Sequence, residues 1–334
     1  MGTWKLDKNE YLPAWHPDLF AKFLERLSPE HLSTHPELSR LYALLAQYTQ
    51  LPESQLLIGA GTDACIHAAF DALVSVGDTV VVPSPSFLMY DIYAATAGAA
   101  MRRVAYEQNF SLSADALCDA VTSDVALVCL PNPGSPIGFA LPPTDQRMIV
   151  DHAARLGVPV LLDEAYYPFY PHSFLGELAH YGNVIVTRSF SKAGGLAGAR
   201  IGFAAASAGL ISLLRAYKPM YEITFPSVLL AELLLEEPNR LYEYAEEVRK
   251  GKLLVNEAFR KWGFDTYPGE ANFILVNFGE KRDTLIAALD AAGVLYKNRF
   301  DASPLAGWSR FSLGPLDYMQ RFLQFFESVC FPGK

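Results

Sequence analysis

Between about residue 55 and residue 206, short runs of Val, Leu and Ile alternate with stretches of helical period. This alternation limits the fold more than any other feature. Parallel strands joined by crossover helices are covered on both faces, so they read as near-continuous apolar runs. The runs at 55–58, 79–83, 101–105, 125–130, 158–163, 183–187 and 200–205 have this character. They predict an α/β fold with a large, doubly wound, mostly parallel sheet. Farther on, Pro219, Pro226 and Pro238 interrupt the helical pattern, and an amphipathic stretch follows over 239–262. The order then becomes strand (271–278), helix (282–292), strand (294–296), strand (309–313) and helix (316–329). The expected division is a large α/β domain over 29–244 and a smaller α+β domain from 1–28 plus 245–334.

Charge and composition exclude several classes of function. Lys and Arg number 27 against 36 Asp and Glu, a net charge of -9, and there is no basic run, so no nucleic-acid partner is expected. The longest weakly polar stretch, 201–214, is interrupted by Ser207 and falls short of the roughly 18 to 20 apolar residues that span a bilayer, so no membrane partner is expected. The opening MGTWKLDKNEYLPAW has no apolar signal core, which points to the cytoplasm. Cys65, Cys118, Cys129 and Cys330 show no CxxC spacing and the histidines no HExxH, so no metal is expected.

Gly59-Ala60-Gly61-Thr62-Asp63-Ala64 follows a strand, opens a helix and fits the dinucleotide fingerprint G-x-G-x-x-G/A. That reading needs an acidic residue at the end of the next strand, where this chain has Pro83-Ser84-Pro85. The physical content of the loop survives the failure of the motif. Free N–H groups of Gly61, Thr62 and Asp63 at a helix N-terminus attract an anion; a tight turn capped by Thr62 or Asp63 is the plain alternative.

Asp163 ends the 158–163 run, and the next run leads into Arg188-Ser189-Phe190-Ser191-Lys192-Ala193-Gly194-Gly195. Ligands of open α/β sheets bind at this carboxyl edge. Singly, Asp163 reads as a helix cap and Lys192 as a solvated amine. Together they match the functional groups of pyridoxal 5'-phosphate. Lys192 suits the aldehyde as a Schiff-base amine, and Asp163 suits the ring nitrogen. Ser189, Ser191 and Arg200 join the Gly61–Asp63 loop around the phosphate. Tyr166 can reach the phenolic oxygen, Phe87 offers a stacking face or is plain core, and Arg310 suits a substrate carboxylate or a surface ion pair.

These blocks, with KLDKNEY, LLIGAGTDA, PSPSFLMY, NPGSPIG, VPVLLDEAYY, SFSKAGGLAGARIGF, ANFILVNF and RFSLG, resemble the fold-type I aminotransferases of class I/II. The likeness is nearest to the histidinol-phosphate aminotransferase branch and runs from about residue 5 to residue 329. The resemblance implies Lys192, Asp163 and Tyr166 as catalytic residues. It also implies pyridoxal phosphate bound by Gly61, Thr62, Asp63, Phe87, Ser189, Ser191 and Arg200, and substrate met by Tyr11 and Arg310. Its small-molecule partners would be an amino acid, or amino-alcohol phosphate, and a 2-oxo acid, in a homodimer with the site at the interface. Where the family usually has Asn-Pro-Thr-Gly, this chain has Ser135-Pro136-Ile137-Gly138, so Ser135 or Asn132 would serve the phenolic oxygen. Ala64 stands for the common Glu, His35 for the Tyr lent by a partner, and Phe87 for the branch's Tyr. Relatives with this fold also decarboxylate threonine phosphate or close amino-acid rings, and a cofactor-binding module without turnover is the remaining reading.

Overall fold

The structure, a computed structural model, describes residues 3–300 and 303–331. The N-terminal part contains β1 (Lys5–Leu6), α1 (Pro17–Arg26), α2 (Glu30–Ser33) and α3 (Ser39–Thr49). The central part contains β2 (Leu56–Gly59), α4 (Thr62–Leu73), β3 (Thr79–Ser84), α5 (Leu88–Ala97), β4 (Ala100–Ala105), α6 (Ala114–Ala120), β5 (Val125–Pro131) and α7 (Pro143–Arg155). It continues through β6 (Val160–Asp163), β7 (Val184–Ser189), β8 (Gly202–Ala206), α8 (Ala208–Ala216), α9 (Phe225–Glu236) and α10 (Asn239–Lys261). The C-terminal part holds β9 (Asp265–Tyr267), β10 (Phe273–Asn277), α11 (Arg282–Ala291), β11 (Leu295–Tyr296), β12 (Trp308–Ser312) and α12 (Leu316–Cys330).

A seven-stranded sheet in the order β2-β8-β7-β6-β5-β3-β4 is the centre of the molecule. Successive residues of a strand point to opposite faces, and here both faces are apolar. Val160, Leu162, Val184 and Val186 enter one core cluster. Leu161, Ile185, Leu127 and Cys129 enter the other, beneath Ile66 and Phe70 of α4, Tyr90 of α5 and Ile211 of α8. Double burial explains why these strands are continuous Val/Leu/Ile runs.

All seven runs expected in this region form strands of the sheet. One differs from the parallel pattern. β8 runs antiparallel to both β2 and β7. A parallel return needs a crossover of a dozen or more residues, usually a helix. Residues 190–201 hold only the 3-10 turn Ala197–Ala199, so the chain folds straight back beside β7. Two strands escaped the sequence reading because they are short: β1, which pairs in parallel with β11, and β9, which edges the sheet β12-β10-β9.

Where β6 and β7 lie side by side, their ends are tied by an ion pair. Arg188 Nε is 3.0 Å from Glu164 Oε2, and both side chains are buried. The remaining groups are satisfied: Ser173 Oγ donates to Glu164 Oε2 at 2.7 Å, Phe174 N to Oε1 at 2.7 Å, and the guanidinium lies 3.4 Å from the Tyr167 ring centroid. Removing one partner of a buried pair leaves an uncompensated charge, which costs about 3–5 kcal/mol. Arg188→Ala is therefore expected to lower unfolding free energy by about that amount in urea titrations. A loss under about 1 kcal/mol would mean the pair is as weak as an exposed one.

Candidate active site

At the carboxyl edge of the sheet, β2 turns into α4, β3 runs into Phe87, β5 into Pro133 and Ser135, and β6 ends at Asp163. β7 leads to Ser191 and Lys192. These ends enclose a cavity of about 450 Å³, lined by Thr62, Asp63, Phe87, Ser135, Asp163, Tyr166, Ser189, Ser191, Lys192, Arg200 and Arg310, with Asp7, Lys8 and Asn9 from the N-terminal segment. Its size suits a small cofactor. A larger cavity of about 610 Å³, near Tyr42, Arg215 and Met220, lies by the amino end of β2 and holds none of these side chains.

Asp163 is buried, and its carboxylate accepts three hydrogen bonds. Tyr90 Oη donates to Oδ2 at 3.0 Å; Thr187 Oγ1 and the Ala165 amide donate to Oδ1, each at 3.1 Å. Burial raises its pKa above the ordinary carboxylate value, and the three donors only partly offset this. Among the described residues no cation pairs with it. The group is built to meet a positive charge supplied from the cavity.

The opposite end of the cavity is made for an anion. α6, α8 and α9 each have a side-chain oxygen capping the first turn, from Ser113, Ser207 and Thr224. α4, like most of the other helices, has none, and its N-cap is Gly61 at φ 80°. Its first amides therefore stay free, with the helix dipole behind them. Ser191 is buried beside them, and the Arg200 guanidinium crosses Gly61, where an added Cβ would meet Nη2 at 3.1 Å. Gly61 itself does not line the cavity; it makes room for Arg200. On β8, a Cβ at Gly202 would meet Thr62 N at 2.7 Å, so only glycine lets β8 pass this close to the helix start. Asp63 Oδ1 is buried without a partner.

Three consecutive residues of the N-terminal segment each reach one functional side chain. Arg310 Nη2 donates to Asp7 O at 2.9 Å, Lys192 Nζ donates to Lys8 O at 3.0 Å, and Asn9 Nδ2 donates to Tyr166 Oη at 2.9 Å. Arg310 is buried, forms no ion pair among the described residues, and leaves Nε without a partner. Its Nη1 donates to Ser135 Oγ at 3.3 Å. Burial lowers its affinity for a proton, and the Tyr166 and Asp7 side chains oppose that effect. Buried donors without an anion fit a ligand carboxylate or phosphate.

Besides Gly61, two expected residues do not line the cavity. Asn132 does not line the cavity: its Oδ1 accepts from the Leu141 amide at 2.7 Å, which fixes the chain after β5 instead. Tyr11 does not line it either. Its ring stacks on Tyr244 with centroids 3.7 Å apart, its hydroxyl lies 3.3 Å from His16 Nε2, and burial pushes it up to about 12. Conversely, Tyr90, Thr187 and Asn9 were not foreseen. Tyr90 lies three residues after Phe87, a spacing that puts both on one side of a helical turn. Nothing local marks Thr187 or Asn9.

The residues present fit pyridoxal phosphate on structural grounds: an unpaired buried carboxylate, an uncapped helix start crossed by Arg200, and an amine between them. The family "Aminotransferase class I and II" matches residues 8–326. A histidinol-phosphate aminotransferase 2 of Nitrosococcus oceani is 31% identical over 327 residues, covering 96% of this chain and 90% of that protein. A histidinol-phosphate aminotransferase of Caldanaerobacter subterraneus is 29% identical, covering 94% and 89%. Among solved structures, the histidinol-phosphate aminotransferase of Sinorhizobium meliloti in complex with pyridoxal-5'-phosphate superposes with a TM-score of 0.86 at 23% identity, covering 98% of this chain and 90% of that one. That likeness shows the fold, the fold-type I aminotransferase architecture. With the family match spanning nearly its whole length, the chain belongs to the class I and II aminotransferases.

Proposed function

We propose that the cavity holds pyridoxal 5'-phosphate, with which the chain moves an amino group between an amino acid, or an amino-alcohol phosphate, and a 2-oxo acid. The observation that carries this reading is the convergence on one cavity of an unpaired buried carboxylate, an amine and an uncapped helix start. The amides of Thr62 and Asp63, with Ser189, Ser191 and Arg200, would hold the phosphate. Asp163 would keep the ring nitrogen protonated, Tyr166 and Ser135 would face the phenolic oxygen, and Phe87 would cover a ring face. When bound, the cofactor supplies an electron-withdrawing ring that makes the substrate Cα proton removable.

The chain's own residues do the rest. Lys192, whose amine would engage the aldehyde until the substrate's own amine displaces it, would then take the Cα proton as general base and return it, as general acid, to the carbon on the far side of the amino nitrogen. Arg310 holds the substrate carboxylate or phosphate, exchanging its bond to Asp7 O for one to the ligand. Lys192 likewise leaves Lys8 O. The relatives named histidinol-phosphate aminotransferase support a phosphate-bearing substrate; the buried Arg310 fork supports a carboxylate equally well. Residues 29–244 serve as the large domain and 1–28 plus 245–334 as the small one. We further place the enzyme in the cytoplasm, where four free thiols stay reduced, as a homodimer. Leu32, Leu88, Met220 and Tyr221 are 73, 65, 77 and 62% exposed, apolar surface of the kind a second copy covers.

With pyridoxal phosphate added, the visible band is expected to change as a suitable amino acid is supplied without oxo acid, and one equivalent of oxo acid should appear. Loss of carbon dioxide with the band intact would instead make the enzyme a decarboxylase. Lys192→Ala is expected to lower turnover roughly 10,000-fold or more and to leave no chromophore fixed to the chain by borohydride; retained activity refutes the assignment. Arg310→Ala should raise KM for carboxylate substrates roughly 10- to 100-fold, the value of charged hydrogen bonds, with kcat less affected. Unchanged kinetics would return Arg310 to a packing role.

Asp163 makes a pH prediction. Burial raises its folded value above 3.8, so the folded chain binds that proton more tightly than the unfolded one. The cofactor-free protein therefore loses stability as pH rises from near 3.8 through the folded value. A cationic ring at Asp163 removes that cost, so pyridoxal phosphate should raise the melting temperature more above this window than below it. In Asp163→Asn the pH-dependent excess should vanish; if it persists, another group controls the ring nitrogen.

A further inference from the structure

Asn9 occupies a backbone conformation that a residue with a Cβ seldom adopts, φ 54°, although Asn is among the side chains that tolerate it best. It is also 2% exposed, and all four of its polar atoms are engaged. Its amide N–H donates to Ser312 Oγ at 2.8 Å, and Asn272 Nδ2 donates to its carbonyl at 3.1 Å. Ser312 Oγ lies 3.1 Å from Asn9 Oδ1. Ser312 Oγ accepts from the Asn9 backbone and gives its own proton to Asn9 Oδ1; with the amide turned the other way, that proton would have no acceptor among the described residues. The other end of the amide is then nitrogen, and it is a donor to Tyr166 Oη at 2.9 Å. Two residues of the C-terminal part thus choose which way an N-terminal amide faces a tyrosine next to β6.

We propose that Asn9 is a positioning residue for Tyr166: it holds the hydroxyl oxygen as an acceptor, so that the hydroxyl proton is aimed into the cavity. This rests on the reading of the cavity as a pyridoxal phosphate site, where that proton would meet the phenolic oxygen. The groups facing Tyr166 leave the proton little alternative. Lys192 Nζ lies 5.7 Å from the ring centroid and Arg310 approaches from β12, so a proton aimed at either would meet a positive charge. Ser135 Oγ, which accepts from Arg310 Nη1, stands beside them. Burial by itself would raise the hydroxyl's pKa. The two cations and the hydrogen bonds from Ser135 and Asn9 outweigh it and bring Tyr166 below the ordinary tyrosine value.

The decisive variant is Asn9→Gly, because glycine keeps the left-handed backbone and both main-chain hydrogen bonds while removing only the amide. Tyr166 ionisation is read in the full-length, cofactor-free protein as the ultraviolet difference between each protein and its Tyr166→Phe counterpart. In Asn9→Gly the titration should move up by about one pH unit, a tenfold weaker acid. In the loaded enzyme kcat should fall about tenfold with KM changed less than about twofold, the pattern of an interaction that matters only in the chemical step. Asn9→Asp, which puts a carboxylate where the donor was, should move the titration further in the same direction. It decides the matter if the glycine variant does not fold. An unmoved titration in a folded Asn9→Gly or Asn9→Asp protein overturns the proposal. Since the titration needs no cofactor, that result is separable from a failure of the cofactor assignment, which the borohydride test on Lys192 reads independently.

Discussion

Asp163 is the constraint around which the site is arranged. A carboxylate at the end of a buried strand has lost most of its hydration, and hydrogen bonds from two hydroxyls and one amide replace only part of it. A counter-ion within the protein would have satisfied it and disabled it. Arg188, a buried cation on the neighbouring strand, is instead committed to Glu164, the very next residue. Alternation along the chain keeps the two carboxylates apart: one closes a structural pair on one side of β6, and the other faces the cavity with its charge uncompensated.

The antiparallel return of β8 follows from the same crowding. A crossover helix after β7 would carry the chain away from the edge, whereas the loop over 190–201 keeps Ser189, Ser191, Lys192 and Arg200 within one turn of the sheet. The approach of β8 to the start of α4 depends on Gly202, and the passage of Arg200 over that start depends on Gly61. The end of the cavity at the start of α4 is thus assembled from two segments more than a hundred residues apart, with glycine at each point of closest approach.

The segment Asp7–Asn9 closes the other side. Its main-chain oxygens take up donors of Arg310 and Lys192, and its one inward amide takes up Tyr166. Backbone carbonyls of this kind satisfy buried donors until a ligand displaces them. β1 anchors the segment by pairing with β11, and Ser312 and Asn272 lock its last residue. On the proposed reading, a substrate at Arg310 and a cofactor at Lys192 would both act on this one short segment.

Much of this was legible in the residues. Strands buried on two faces must be apolar throughout, so the sheet was visible as runs of Val, Leu and Ile. Chemistry at a carboxyl edge has to follow those runs directly, so Asp163, Ser189, Ser191 and Lys192 were visible as the polar residues after them. Tyr11 and Asn132 stand outside the cavity lining, because aromatic and amide side chains serve packing and loops as readily as ligands, and here Tyr244 and the Leu141 amide engage them. The amino-acid sequence by itself determined the sheet, its edge and the chemical types gathered there, because burial and local spacing are properties of neighbouring residues. Only the tertiary structure decided the direction of β8, the choice of Tyr90 and Thr187 as partners of Asp163, and the orientation of Asn9 toward Tyr166. Those depend on hydrogen bonds between segments whose separation along the chain leaves no local pattern.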